Sequence, residues 1–342
     1  MSEPPRSTGS DDTRVTLVQV AKLAGVSPTT VSHVLSGKRW VAESTQETVR
    51  EVIRQLGYRP NNVARSLRTR RSKMVAVVVP DITNTFFAVL TRGLADAVDV
   101  AGYGTYVCNT DGIPEREDAF LADVVDRGVD GVVMAAGNLT GDVGAGPGGL
   151  GVPAVRIGGA PDDDPHVDVV APDDEIGSHA AVRHLIDRGA RRIAIIEGPP
   201  ATGSTRDDGY RRALGESGMP VDPDLMVRGD WTRPGGRKAM RTLMALADRP
   251  DAVFCANDLT AIGAIDAAHE LGLAVPGDVA VVGFDDVDAA TIVNPPLTTV
   301  RNPAYETGYT AGELLLSRIT GSYTGDGRTV VLPCPLVVRA SA

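Results

Sequence analysis

A small all-helical domain followed by two α/β lobes, each a doubly wound parallel sheet, is the fold class this sequence predicts. Three observations predict it. The first sixty residues carry three short amphipathic helix patterns punctuated by glycines, apolar runs of strand length alternate with helix-like stretches from Lys73 onward, and the two regions differ in charge. At 342 residues the chain is too long for one ordinary domain, and its 42% hydrophobic residues can fill two or three cores.

The helical region is read from its caps. Thr16 with Gln19 three residues later reads as a capping box, and Leu17, Val20, Ala21 and Ala24 then recur at helical spacing until Gly25. Ser27 can cap a second helix whose first turn accepts Pro28, with Val31, Val34 and Leu35 facing inward until Gly37. Two helices so joined form a helix-turn-helix. A third helix is predicted from Ser44, boxed with Glu47, burying Val49, Val52, Ile53 and Leu56 and ending at Gly57.

Charge supports a nucleic-acid partner once it is divided along the chain. The net charge is −10, yet residues 14–73 hold twelve Lys/Arg against three Asp/Glu, a net +9, and the rest holds 22 against 41, a net −19. A basic segment on an acidic body attracts phosphates locally and favours one docking orientation. Charge alone leaves a solvated face as the alternative. On the second helix Thr29 and His33 lie four residues apart and share the face opposite the apolar residues. Thr29, Thr30, Ser32 and His33 are the kind of side chain that a helix presents to base edges in a major groove; for Thr30 and Ser32 a bond to backbone or phosphate is the preferred reading.

The stretch VTLVQVAKLAGVSPTTVSHVLSGKRWVAESTQETVREVIRQLGYRPNNVARSL resembles the headpiece of the lactose/galactose-repressor family, and TTVSHV and VARSL resemble its purine-repressor branch most. The resemblance covers nearly the whole chain. It implies a sequence-specific DNA-binding transcriptional regulator, a repressor, whose operator affinity is controlled by a small-molecule effector. A sugar or related polyol is the expected effector, with a purine or nucleoside as the alternative. Thr29 and His33 are then base readers and Arg39 a contact to backbone or base, while Pro28, standing where the family often has a base-reading polar residue, reduces readout there.

After Tyr58, Pro60 and Asn61 can start a helical turn that places Val63 and Leu67 on one side, flanked by Ala64, Arg65 and Arg68. About eight residues hold no helix alone. The resemblance implies a hinge that folds with that of a dimer mate in the minor groove, with Asn61, Val63, Ala64, Leu67 and Arg68 on DNA and Leu67 as the wedge. Pyrimidine–purine steps open most readily, so the expected operator is a pseudo-palindrome with a flexible central step such as CG. The alternative is a charged linker, although Arg65, Arg68, Arg70 and Arg71 are more charges than a spacer needs.

The runs MVAVVVP, TYVCN, DGVVMAA, PAVRIGG, RIAIIEG, DAVFCAN and VAVVGFDD are apolar throughout, as strands covered on both faces require. Open α/β sheets bind ligands beyond the carboxyl ends of their strands, and polar residues follow here. Asn257-Asp258 follows VFCA, Asp285-Asp286 follows VVGF, Arg206 precedes Gly209-Tyr210, and Trp231 follows Arg228-Gly229-Asp230. Carboxylates that accept hydroxyl protons, an Arg fork, an Asn amide and an indole face together suit a polyol.

The resemblance adds a periplasmic-binding-protein-like clamshell with crossovers near 171–174, 299–302 and 329–332. It implies Arg206, Trp231, Asn257 and Asp285 as effector contacts and Phe86 and Phe87 as cleft aromatics, with Asp81 and Asn84 as weaker candidates; Asp258 and Asp286 read instead as helix N-caps that hold the loops. The expected organisation is a disordered arm 1–14, a DNA-binding domain 15–58, a hinge and linker 59–73, and an effector-binding domain 74–342. Within the last, one lobe spans about 74–172 and 302–329 and the other about 173–299 and 332–342. Two departures stand out. Gly158-Gly159 occupy a site where family members often carry a ligand-gripping Asp or Arg, and GDVGAGPGGLG is short where a helix is usual and is no phosphate loop, because Pro147 follows.

Other classes find little support. No G-x-S-x-G, H-E-x-x-H or G-x-x-x-x-G-K-[ST] occurs, and His33, His166, His179, His184 and His269 do not cluster, so no catalytic residue, metal or cofactor is expected. His179 and His184 read as surface or satisfied residues. Cys108, Cys255 and Cys334 sit among apolar neighbours and read as buried free thiols. A sugar-binding transport protein would need an export signal; the polar first residues and the lack of an eighteen-residue apolar run lead to an expected cytoplasmic location and no membrane partner. The end LPCPLVVRASA carries no leucine heptad, so a homodimer is expected.

Overall fold

The computed structural model describes residues 15–37, 39–59, 71–135, 151–158, 167–199 and 205–342. They fall into two compact units divided after Arg70.

The first unit contains α1 (Leu17–Leu23), α2 (Pro28–Ser36) and α3 (Glu43–Leu56). The α1 capping box forms: Gln19 N donates to Thr16 Oγ1 at 3.3 Å, and Thr16 N donates to Gln19 Oε1 at 2.7 Å. Ser27 Oγ accepts from Thr30 N at 3.0 Å, Pro28 takes the first helical position, and Gly37 ends α2 at φ 63°. The third helix differs from expectation. It begins at Glu43 behind Ala42, which makes no side-chain cap bond, so the Ser44/Glu47 box does not form. Val20, Ala21, Val31, Val49, Val52 and Tyr58 make the core, with Val34, Ile53 and Leu56 packed against it. Leu35, expected to face inward, is 40% exposed because it lies on the flank of the face that Val31 and Val34 define.

The second unit runs β1 (Met74–Val79), α4 (Thr85–Asp99), β2 (Gly104–Asn109), α5 (Pro114–Asp126), β3 (Gly131–Met134), β4 (Ala154–Ile157), β5 (Asp168–Pro172), α6 (Asp174–Asp187), β6 (Ile193–Glu197) and α7 (Arg206–Glu216). It continues β7 (Met226–Arg228), α8 (Arg233–Met244), β8 (Ala252–Cys255), α9 (Asp258–Glu270), β9 (Ala280–Phe284), α10 (Ala289–Ile292), β10 (Thr298–Val300), α11 (Ala304–Thr320), β11 (Thr329–Leu332) and β12 (Leu336–Val337). Two six-stranded sheets result, ordered β11-β5-β4-β3-β1-β2 and β12-β10-β9-β8-β6-β7. Pairing is parallel except between β10 and β12. In each sheet the strand order reverses once near one edge, between β1 and β3 and between β6 and β8, the place where such sheets open a crevice.

Burial explains the unbroken apolar runs. In β1, Val75, Val77 and Val79 pack under α4 and α11, while Ala76 and Val78 pack under α5. In β6, Ile193 and Ile195 pack under α6 and α7, and Ala194 and Ile196 under α8 and α9. Both faces are covered, so neither can be polar.

The chain passes between sheets three times, at Asp173, at 301–303 and at 333–335. The third passage lies beyond the expected 329–332, because those residues form β11 and pair with β5, Thr329 opposite Val169. Asp173 N donates to Leu332 O at 2.9 Å and Arg301 N to Pro335 O at 2.8 Å, so the passages are stitched side by side. Each leaves the carboxyl end of a strand, which brings the carboxyl edges of both sheets to the crossing.

Candidate functional site

On α2, Thr29 is exposed and Thr30, Ser32 and His33 are half-buried. Thr30 Oγ1 lies 2.9 Å from Ser27 Oγ, the side chain that caps α2. Arg39 is exposed, and Trp40 beside it is 89% exposed, an apolar surface that the sequence reading passed over. Asn61, Val63, Ala64, Leu67 and Arg68 lie outside the described residues. Arg71 corrects the hinge-charge count: it donates to Ile319 O at 2.6 Å and to Tyr103 Oη at 3.4 Å, so it belongs to the first sheet's lobe.

The second sheet's carboxyl edge gathers a polar cluster around Arg206, the first residue of α7. Its Nε donates to Asp174 Oδ2 at 3.1 Å, its Nη2 reaches Asp285 Oδ1 at 3.4 Å, and its Nη1 donates to Ala256 O. The guanidinium lies 3.8 Å from the Phe284 ring centroid and 5.4 Å from that of Trp231. Burial alone would lower the Arg206 pKa, but Asp174 and Asp285 hold it above the usual value. Asp285 sits at φ 110° and also accepts from Asn302 Nδ2 at 3.2 Å. Burial pushes its acid up to about 6, with Arg206 and Asn302 opposing the shift only in part.

Trp231 and Asn257 join this cluster through backbone geometry. Trp231 adopts φ 63° and lays its indole on Gly198, where any Cβ would overlap the ring. Asn257 Nδ2 donates to Trp231 O at 3.0 Å, and its Oδ1 accepts from Thr260 N at 2.9 Å. Asn257 is therefore the N-cap of α9, the part expected of Asp258. Asp258 instead is fully buried and holds two loops, accepting from Val287 N at 2.9 Å and Thr299 Oγ1 at 2.5 Å. Asp286 caps nothing either; it pairs with Arg301 at 2.8 Å and Arg339 at 2.5 Å.

In the other lobe Phe86 and Phe87 form the first turn of α4 at the carboxyl end of β1, edge to face with centroids 5.1 Å apart. Asn84 caps that helix, accepting from Phe86 N at 3.1 Å, and Asp81 accepts from Thr83 N at 2.9 Å, so both hold the turn. Gly158 ends β4 at φ 75°; Gly159 and the stretch GDVGAGPGGLG as far as Leu150 lie outside the described residues.

Asp174, Glu197 and Asn302 also belong to the edge and were missed. Asp174 reads in sequence as a first-turn acid of α6, Glu197 as the last residue of an apolar strand, and Asn302 as linker; Asp174 is marked only by its meeting with Arg206, Asn302 by its meeting with Asp285, and Glu197 by the recess it lines with Arg206. Cys108, Cys255 and Cys334 are buried free thiols, as expected. His179 Nε2 lies 2.7 Å from Glu216 Oε2, whereas His184 Nε2 is buried without a partner, contrary to the reading of a satisfied residue. Among the described residues no cluster of His, Cys, Asp and Glu is placed to hold a metal ion, and no helix is long and apolar enough to cross a membrane.

Compared with known proteins, residues 16–61 match the bacterial regulatory proteins of the lacI family, and residues 182–342 match the periplasmic binding protein-like domain. The HTH-type transcriptional repressor PurR of Aliivibrio salmonicida (strain LFI1238) is 35% identical over 307 residues, 89% of this chain and 92% of that one. Among solved structures, a complex of the transcriptional regulator CelR with cellobiose is 35% identical with a TM-score of 0.72, covering 96% of this chain and 100% of that one. A lac repressor dimer bound to operator and the anti-inducer ONPF is 27% identical with a TM-score of 0.82, covering 96% and 99%.

Proposed function

We propose, for a chain that belongs to the lacI family of bacterial regulatory proteins, that a homodimer reads operator DNA through residues 15–58 and is controlled by a small polyhydroxylated ligand held between two lobes. The observation that carries the ligand reading is the Arg206–Asp174–Asp285 cluster beside Trp231: a buried guanidinium fork, carboxylates and an indole face at the carboxyl edge of one sheet. Hydroxyl pairs bind such groups from both sides, and the indole covers the apolar face of a sugar ring. The similar CelR structure holds cellobiose. A purine or nucleoside is the second reading, favoured by Trp231, Phe86 and Phe87, which offer flat faces to a base.

The protein acts by binding rather than catalysis, in the cytoplasm. Residues 59–73 serve as hinge and linker, residues 74–342 as effector-binding domain, Thr29 and His33 as major-groove base readers, Arg39 as a contact to backbone or base, and Leu67 as the minor-groove wedge. Leu67→Ala should weaken operator binding by about 1–3 kcal/mol at fixed salt without altering the fold; unchanged affinity makes residue 67 a linker.

A ligand that touches both lobes favours one closure and shifts the DNA-competent population by no more than its differential affinity for the two states. The test is a thermal-shift screen of sugars, polyols and purines, then operator titrations with the ligand found. Arg206→Ala and Asp285→Ala should abolish the response while ligand-free operator binding persists. If both variants respond at wild-type concentrations, the effector binds elsewhere.

A further inference from the structure

Glu197 closes β6 where the strand order of the second sheet reverses, and it is 6% exposed. Its Oε2 forms an ion pair with Arg228, 3.0 Å from Nε. Its Oε1 is buried and has no hydrogen-bond partner. Burial, opposed by Arg228, holds this acid above the usual carboxylate range. The side chain lines a recess shared with Gly198, Arg206, Asp207, Arg228 and Ala256.

A carboxylate that serves the fold is satisfied on both oxygens, as Asp258 is by Val287 N and Thr299 Oγ1, and Asp168 by Arg318 and Arg328. Glu197 is ion-paired on one side only, its other oxygen is buried without a partner, and the residue shares the lining of the recess with Arg206, already assigned to ligand. Its desolvation is unrecovered in the free protein. Arg228 is the complementary half, with a side chain 61% exposed beyond its ion pair with Glu197 Oε2 and a long hydrogen bond of 3.5 Å to Gly198 O.

We propose that Glu197 and Arg228 form a second polar subsite of the ligand cleft that takes a vicinal diol of a carbohydrate. One hydroxyl donates to Glu197 Oε1, and its neighbour accepts from the outward guanidinium N–H groups of Arg228. Arg206 is the shared wall, so a ligand held at Asp285 reaches the recess by crossing that guanidinium. The proposal rests on the carbohydrate reading of the cleft and adds a specificity determinant to it: a ligand lacking the diol leaves Glu197 Oε1 unpaired, whereas one that carries it recovers the desolvation.

The experiment uses the full chain as wild type, E197Q, E197A and R206A, with calorimetric titration against mono- and disaccharides including cellobiose and D-ribose, and melting of each ligand-free protein. At least one carbohydrate should bind the wild type, and both Glu197 variants should weaken it tenfold or more. Their ligand-free Tm should equal or exceed that of the wild type, since each removes an unrecovered buried carboxylate. A loss of affinity below tenfold, with R206A still abolishing binding, overturns the subsite and leaves the carbohydrate reading standing. A lowered ligand-free Tm in both variants makes Glu197 a structural group and also overturns it. If no carbohydrate binds the wild type, both readings fall.

Discussion

Asp168 and Asp285 are both buried carboxylates, and their surroundings move them in opposite directions. Around Asp168, burial raises the acid, but hydrogen bonds from Arg318 at 2.7 Å and Arg328 at 2.6 Å outweigh it and leave the pKa below the usual value. The Tyr323 ring backs both guanidinium groups, with centroid distances of 4.9 and 3.9 Å. Stability from this group is present above its unfolded pKa of about 3.9 and is lost as pH falls through the lower folded value. Asp168→Asn, which leaves two arginines short of their counter-charge, should therefore destabilise the ligand-free protein by about 3–5 kcal/mol near neutral pH. Its deficit should shrink in acid. Asp285, pushed up to about 6, has the opposite sign: its stability is full below the unfolded pKa and is lost as pH rises through about 6. Asp285→Asn, whose amide tolerates positive φ, should gain on the wild type above pH about 6 and lose that gain towards about 4. Denaturant unfolding across this pH range checks both, and parallel profiles for the two variants would contradict the assignment.

At this scale sequence reasoning found residue types better than partners. Arg206, Trp231, Asn257 and Asp285 do meet, because strand-end polar residues of a parallel sheet share one edge. The part expected of Asp258 went to Asn257 because a helix start cannot be placed to one residue from pattern alone. Glu197 stayed hidden because its carboxyl lies next to Arg228 only once β6 and β7 pair, with Glu197 opposite Arg228 in register.

Helix pairs in the second unit meet backbone to backbone, and glycines make this possible. A Cβ on Gly93 would overlap the Tyr305 carbonyl and one on Gly308 the Leu90 carbonyl, which locks α4 to α11. Gly209 meets the Glu175 carbonyl between α7 and α6, and Gly236 and Gly263 do the same between α8 and α9. Gly308→Ala should thus destabilise by about 1–3 kcal/mol through forced separation of the helices. Gly215 in α7 is exposed with open space around it, so Gly215→Ala should stabilise by about 0.5–1 kcal/mol through helix propensity alone. Equal shifts of the unfolding midpoint in the two variants would show that close approach is not what holds the pair.

Elements were legible where they were long and apolar. All seven strand-like runs contain a strand, from β1 to β9. Those not anticipated, β5, β7, β10, β11 and β12, are two to five residues long, and β5 and β11 lie where the chain prepares to change lobes. Their identity depends on neighbours far away in sequence, as when Thr329 pairs with Val169. The α3 start was misplaced for a different reason: Ser44 and Glu47 have the right spacing for a box, but Gln46 bonds to Val41 O at 2.8 Å and the N-cap falls two residues earlier, at Ala42.

For the whole molecule the division of structure is also a division of charge. The unit Met1–Arg70 holds 11 Lys/Arg against 6 Asp/Glu, a net +5, and the unit Arg71–Ala342 holds 23 against 38, a net −15. Such a molecule is drawn to DNA by one unit and repelled by the other, which makes affinity salt-dependent. The most direct measurement is selection by the full-length chain from random duplexes, with bound fragments sequenced after washes at about 50 and 200 mM salt. Operator recognition by a homodimer predicts an inverted-repeat motif of about 16–20 bp, with total binding falling steeply at the higher salt while the motif persists. Recovery of no motif, or of one without two-fold symmetry, would contradict the account.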